Sequence, residues 1–230
     1  MKIVGLQKLT LLDMPGKLAC TVFTAGCDFR CPFCQNASLV VPERMDPNDQ
    51  EDKILAFLKK RQGVLDGVVV SGGEPLLHPD LGDFLEKVRA LGYRIKLDTN
   101  GSFPDRLQTL VEAGLVDQVA MDIKNGPSYY ETTVGGPVDM QAIERTKEYL
   151  LFGPVEYLFR TTVVRGLHTR ESIAEAAAWI QGAKQYALQQ YRDDGDILQP
   201  EGLSAFSPEE MQCFVQAAAQ YVPAVQLLGI

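Results

Sequence analysis

The stretch GVVVSGGEPLLHPDLGDFLEKVRALGYRIKLDTNG, residues 67–101, decides the fold. It opens on a short apolar, β-branched run, Gly67–Ser71, which ends at Gly72-Gly73-Glu74-Pro75. A run of this kind reads as a strand buried on both faces. Leu81–Leu91 follows with apolar residues at helical spacing. Tyr93–Asp98 is then a second strand, ending in Asp98-Thr99-Asn100-Gly101. Strand, helix and strand in so short a span make a βαβ unit, whose strands lie parallel.

The same rhythm runs outward in both directions. Downstream, helices are expected at Asp105–Ala113, Met140–Phe152, Arg170–Gln181 and Pro208–Tyr221, alternating with strands at Val116–Ile123, Val155–Val164, Lys184–Gln190 and Val225–Leu228. Upstream lie a helix at Glu51–Gln62, a cysteine-rich loop over 25–41, and a hairpin over 3–25. That hairpin turns at Met14-Pro15-Gly16-Lys17, and its second arm, Leu18–Thr24, is a buried strand. About six βα units are too few for the usual eight-stranded closed barrel, so the expected fold is α/β, a partial (β/α)6 barrel. An open doubly wound sheet is the competing layout, and periodicity alone does not separate the two. Breaks rich in Pro and Gly at 125–137 and 192–208 read as loops. The whole chain, 1–230, is expected to form one domain: the hairpin, a barrel core over 18–200, and a C-terminal helix and strand over 207–230.

In both layouts chemistry gathers at the C-terminal ends of the strands. Four polar motifs fall there: Cys27–Cys34, Gly72-Gly73-Glu74-Pro75, Asp98-Thr99-Asn100-Gly101, and Asp122 with Lys124. Taken singly, the two glycine-containing motifs are also good turns, and Asp122 and Lys124 a plain ion pair. Their placement at successive strand ends is what makes them one site.

The cysteine loop reads Gly26-Cys27-Asp28-Phe29-Arg30-Cys31-Pro32-Phe33-Cys34-Gln35-Asn36, a C-x3-C-x2-C spacing. Structural zinc and [4Fe–4S] centres both usually take four protein ligands. Cys20 and Cys213 read as core residues, and His78 and His168 as loop residues without a role. Three thiolates round a cluster would leave one iron open to a further ligand. A zinc knuckle completed from elsewhere stays open as an alternative.

C-x3-C-x2-C with an aromatic before the third cysteine, followed by Gly-Gly-Glu-Pro after the next strand, resembles the radical S-adenosylmethionine superfamily over roughly residues 15–200. The resemblance implies a [4Fe–4S] cluster on Cys27, Cys31 and Cys34 as the catalytic centre. It implies S-adenosylmethionine chelating the open iron and cleaved reductively to methionine and a 5′-deoxyadenosyl radical. Around the cofactor it places Phe33, Gln35, Gly72, Gly73, Glu74, Asp98, Asp122, Lys124 and Arg160. It also implies a monovalent cation at Asp98, Thr99 and Asp122. Cys31-Pro32-Phe33-Cys34-Gln35-Asn36, Asp98-Thr99-Asn100-Gly101, Met121-Asp122-Ile123-Lys124 and the stretch Gly5–Pro15 further resemble the activases of glycyl radical enzymes. Within these the likeness is to the activating proteins of anaerobic ribonucleoside-triphosphate reductases. The substrate is then a glycine Cα–H of a partner enzyme, and flavodoxin or ferredoxin the electron donor. One departure concerns the adenine contacts, where Leu188-Gln189-Gln190-Tyr191-Arg192 stands in place of an expected histidine. Residues 35–70 hold no cysteine, so a single, oxygen-labile cluster is expected. A small-molecule substrate, as in deazaguanine synthases, is the alternative.

Composition agrees with an enzyme of this kind. The 230 residues are 46% hydrophobic and 23% charged, ordinary for a globular chain. A net charge of −8 disfavours general nucleic-acid binding. No secretory signal or membrane span is legible, so a cytoplasmic protein is expected, where thiols stay reduced.

Overall fold

The computed structural model describes residues 1–41, 50–193 and 195–229. Its centre is one eight-stranded sheet with strands in sequential order, β1 to β8. β1 (Ile3–Thr10) and β2 (Ala19–Thr24) form the expected antiparallel hairpin, closed by a bond from Lys17 N to Met14 O at 3.1 Å. β3 (Gly67–Gly72), β4 (Arg94–Thr99), β5 (Gln118–Asp122), β6 (Glu156–Val163), β7 (Tyr186–Gln190) and β8 (Val225–Leu228) follow, each parallel to the strand before it.

Strand order separates the two expected layouts. A doubly wound sheet reverses direction at a switch point, whereas this order never reverses. Right-handed crossovers then put the helices on one side of the sheet and leave the other side to curl on itself. Gln7 of β1, Phe23 of β2, Ser71 of β3, Asp98 of β4, Asp122 of β5, Arg160 of β6 and Gln189 of β7 all line a single cavity of about 280 Å³. Seven strands reach so small a space only on a strongly concave face. β1 and β8 do not pair, so the barrel stays open. β8, the C-terminal strand expected at Val225–Leu228, pairs with β7 and extends the sheet past the six-unit core.

The helices are α1 (Ala37–Val40), α2 (Glu51–Lys60), α3 (Leu81–Ala90), α4 (Pro104–Glu112), α5 (Tyr130–Val134), α6 (Met140–Phe152), α7 (Arg170–Trp179) and α8 (Pro208–Ala218). α3 shows why they form: Leu81, Phe84, Leu85 and Val88 are buried at spacings of three and four, and Gly92 ends the turn at φ +86°. Ser207 and Glu210 make a capping box at the start of α8. The main core lies between helices and sheet. A smaller cluster of Met14, Ala19 and Val69 plugs the barrel's N-terminal end.

Two expectations change. The 125–137 segment holds α5, which helical spacing cannot announce because it is so short. Cys213, expected in the core, is exposed. α8 buries Met211, Phe214, Ala217 and Ala218, and two residues past Met211 is the outward side of a helix. Cys20 is buried as expected. Among the described residues no helix is long and apolar enough to cross a membrane.

Candidate active site

The loop after β2 brings three thiols to the cavity. Cys27, Cys31 and Cys34 all line it, unpaired. A turn from Cys34 N to Cys31 O at 3.0 Å folds the loop, and backbone bonds clasp it from two sides. Arg30 N donates to Val134 O of α5 at 3.1 Å, while Leu198 N and Gln199 N of the β7–α8 connection donate to Cys34 O and Pro32 O. Gly135 is required there, because its φ is +78° and a Cβ would lie 2.5 Å from Arg30 O.

Burial pushes all three thiols up, Cys31 to about 11, with Glu74 and Asp28 adding to the effect at Cys27. Metal uptake must therefore displace protons. Among the described residues no three His, Cys, Asp or Glu side chains converge on one metal ion. Three thiols round one cavity suit a cluster, in which each thiolate takes its own iron.

The glycine turn after β3 abuts this loop. A Cβ on Gly73 would sit 1.8 Å from Gly26 O, and one on Gly72 would sit 2.4 Å from Thr24 N and O. Both glycines line the cavity. The result is a cradle of bare backbone beside the thiols, which fits the amino acid end of a bound cofactor.

Glu74, expected at the cofactor, lies elsewhere. It is wholly buried and does not line the cavity. Its carboxylate accepts from Leu76 N at 3.0 Å, Thr99 Oγ1 at 2.9 Å and Asn100 N at 2.6 Å, stapling the β3 exit to the β4 exit. Burial outweighs these donors and raises its pKa to about 8. A carboxyl with a raised native pKa binds its proton more tightly folded than unfolded. The metal-free chain is therefore expected to lose stability as pH rises from about 4.5 to about 8. Glu74→Gln should flatten that slope in thermal melts across this window.

The wall opposite the glycines is a chain of charges. Lys96 Nζ lies 2.6 Å from Asp98 Oδ1, and Arg160 Nη2 lies 3.5 Å from Asp98 Oδ2. Arg160 Nε donates to Asp122 Oδ1 at 2.8 Å, and Lys124 Nζ to Asp122 Oδ2 at 2.9 Å. Burial alone would raise Asp122, but Arg160 and Lys124 hold it well below the usual carboxylate range. Asp98 and Asp122 are thus already matched by cations, and Thr99 Oγ1 is turned to Glu74. A metal cation at these three residues would have to displace protein partners.

Phe33 and Gln35 line the cavity, Phe33 edge-on to His168 at 6.4 Å between ring centroids. Gln35 Nε2 donates to Arg192 O at 2.7 Å. In the region of the adenine contacts, Gln189 lines the cavity, whereas Tyr191 is buried with no partner for its hydroxyl among the described residues.

Sequence reading did not single out Gln7, Asp13, Thr21 or Thr162 of the cavity wall, nor the buried His168. Asp13 lines the cavity from the hairpin and accepts from Thr21 Oγ1 at 2.6 Å. His168, read as a loop residue, is buried, with Nε2 2.8 Å from Lys124 O. Asp13 is the lone charge in the apolar run Leu11-Leu12-Asp13-Met14, and that isolation was the available signal.

A partial barrel with three loop thiols at its mouth and a glycine cradle beside them defines a radical S-adenosylmethionine enzyme. The chain belongs to that family: the Radical SAM superfamily model matches residues 21–180. This membership implies a [4Fe–4S] cluster and S-adenosylmethionine. A Methanocaldococcus jannaschii protein described as a glycyl-radical enzyme activating enzyme is 29% identical over 199 residues, 82% of this chain and 79% of its own length. A 7-carboxy-7-deazaguanine synthase of Methanopyrus kandleri is 30% identical over 127 residues, 45% of this chain and 49% of that protein. In structure, Streptococcus suis SuiB bound to S-adenosylmethionine superposes with a TM-score of 0.70 at 14% identity, over 90% of this chain and 49% of that one. A domain of the pyruvate-formate lyase-activating enzyme from Bacteroides vulgatus gives 0.56 at 20% identity, over 71% and 99%. Both structural likenesses speak to the fold.

Proposed function

We propose that this chain is a glycyl radical activase, acting on a glycine of a partner enzyme of the anaerobic ribonucleoside-triphosphate reductase type, with flavodoxin or ferredoxin as electron donor. The observation that carries the reading is the match to the M. jannaschii protein over 82% of this chain and 79% of that one, where the deazaguanine synthase matches about half of each chain. The cavity adds to it. Away from the thiols it is lined by Gln7, Asp13, Thr21, Thr162 and Gln189, groups able to hydrogen-bond a peptide backbone.

In this reading residues 1–230 work as one unit. Cys27, Cys31 and Cys34 hold the cluster, with Gly72 and Gly73 offering backbone carbonyls to the ammonium of S-adenosylmethionine. Lys124 pairs with its carboxylate, and Phe33 packs on its adenine with Gln35 nearby. Asp98, Asp122 and Arg160 keep Lys124 in place and the cavity wall polar. When bound and reduced by one electron, the cofactor supplies a 5′-deoxyadenosyl radical that abstracts hydrogen. The chain's part is to orient the substrate glycine and exclude water. Asp13 accepts a backbone N–H of the substrate segment.

Anaerobic incubation with S-adenosylmethionine, a reductant and an anaerobic reductase should give the EPR doublet of a glycyl radical. A signal-free partner, together with turnover of a pterin-like compound, would point to the deazaguanine synthase class instead. Asp13→Asn should raise KM for the protein substrate by about tenfold, the worth of one hydrogen bond to a charged group. Cofactor cleavage without substrate should not change.

A further inference from the structure

Asn100 joins the β4 exit to the cysteine loop. It is buried, and its amide has one consistent orientation. Oδ1 accepts from Ser102 N at 2.9 Å and from Ser102 Oγ at 2.6 Å. Nδ2 is therefore turned to the cysteine loop, where it donates to Asp28 Oδ1 at 2.8 Å and lies 3.9 Å from Cys27 Sγ. Phe29 N is a second donor to the same sulfur, at 3.4 Å. The Asn100 backbone is itself fixed, by its bond to the buried Glu74.

The three thiols differ in electrostatic company. Lys124 favours the thiolates of Cys31 and Cys34, partly offset by Asp122 and Asp196, while Asp28 disfavours that of Cys27. A thiolate at Cys27 would have the Asp28 carboxylate close by, with Oδ1 3.9 Å from its sulfur. N–H donors are the compensation available there, and hydrogen bonds to cluster sulfurs are a lever on reduction potential. A donor stabilises the extra electron density of the reduced state.

We propose that Asn100 is a positioning residue for the cluster ligand Cys27, acting through an N–H···S hydrogen bond that raises the cluster's reduction potential. This rests on the cluster assignment above, which iron and sulfide analysis of the wild-type protein tests separately. Two variants separate the donor from a mere strut. Asn100→Ala removes the donor. Asp28→Ala removes the other partner of the same amide, together with a nearby negative charge, and leaves the donor in place.

The readout is the midpoint potential of the cluster-loaded, S-adenosylmethionine-free protein, from an EPR-monitored redox titration, alongside iron content and thermal melting. Asn100→Ala should shift the midpoint negative and Asp28→Ala positive, both with wild-type iron and melting. Loss of iron from Asn100→Ala with wild-type melting of the metal-free chain would also support the assignment, because the defect would lie at the ligand. An unchanged midpoint in Asn100→Ala overturns it. So does a shift of both variants in the same direction, or loss of iron together with a lowered melting temperature, since each marks a strut.

Discussion

Gly73→Ala is expected to leave a chain that takes up no iron. A Cβ there would lie 1.8 Å from Gly26 O, which is backbone and has no rotamer to escape into. The turn after β3 or the start of the cysteine loop must move. The bond from Glu74 N to Gly26 O, now 2.8 Å, breaks with either movement. Overpacking of this kind costs on the order of 3 kcal/mol. The larger effect is geometric, because Cys27 follows directly on the displaced residue. Gly136→Ala is the matched control: its Cβ would meet nothing within 4 Å. Iron analysis after anaerobic reconstitution, with melting curves for both variants, checks this. Gly136→Ala should match wild type in both.

Replacing any one of Cys27, Cys31 and Cys34 by Ser should abolish the iron–sulfur absorption and reductive cleavage of S-adenosylmethionine. The loss should exceed the ~100-fold that even outer partners of metal ligands command. Cys213→Ser should leave both unchanged, since that thiol is exposed on α8 and does not line the cavity. About four iron and four sulfide per wild-type chain are expected. A single tightly held zinc that survives Cys31→Ser would refute the cluster and the enzyme with it.

The parts of this molecule legible in the sequence are those encoded over short distances. Val68–Val70 could only be a buried strand, and the spacing of Leu81, Phe84, Leu85 and Val88 only a helix face. The cysteine spacing and both glycine turns lie within single loops, so their chemistry is local too. What stayed hidden depends on the curvature of the sheet or the direction of one side chain. Asp13 enters the site because the hairpin closes under the barrel. Glu74 looked like a cofactor contact, but a turn does not announce which way its carboxylate points. Partial-barrel and doubly wound layouts share one periodicity, and strand order, a long-range property, separates them.

The cysteines sit on a loop held by backbone hydrogen bonds, and no sheet pairing runs through them. Destruction of the cluster by oxygen should therefore strip the chain of its chemistry while leaving its architecture standing. A chain stripped in this way is expected to take up iron and sulfide again when reducing conditions return. The cell would then recover activity after an oxygen pulse without new synthesis of the protein.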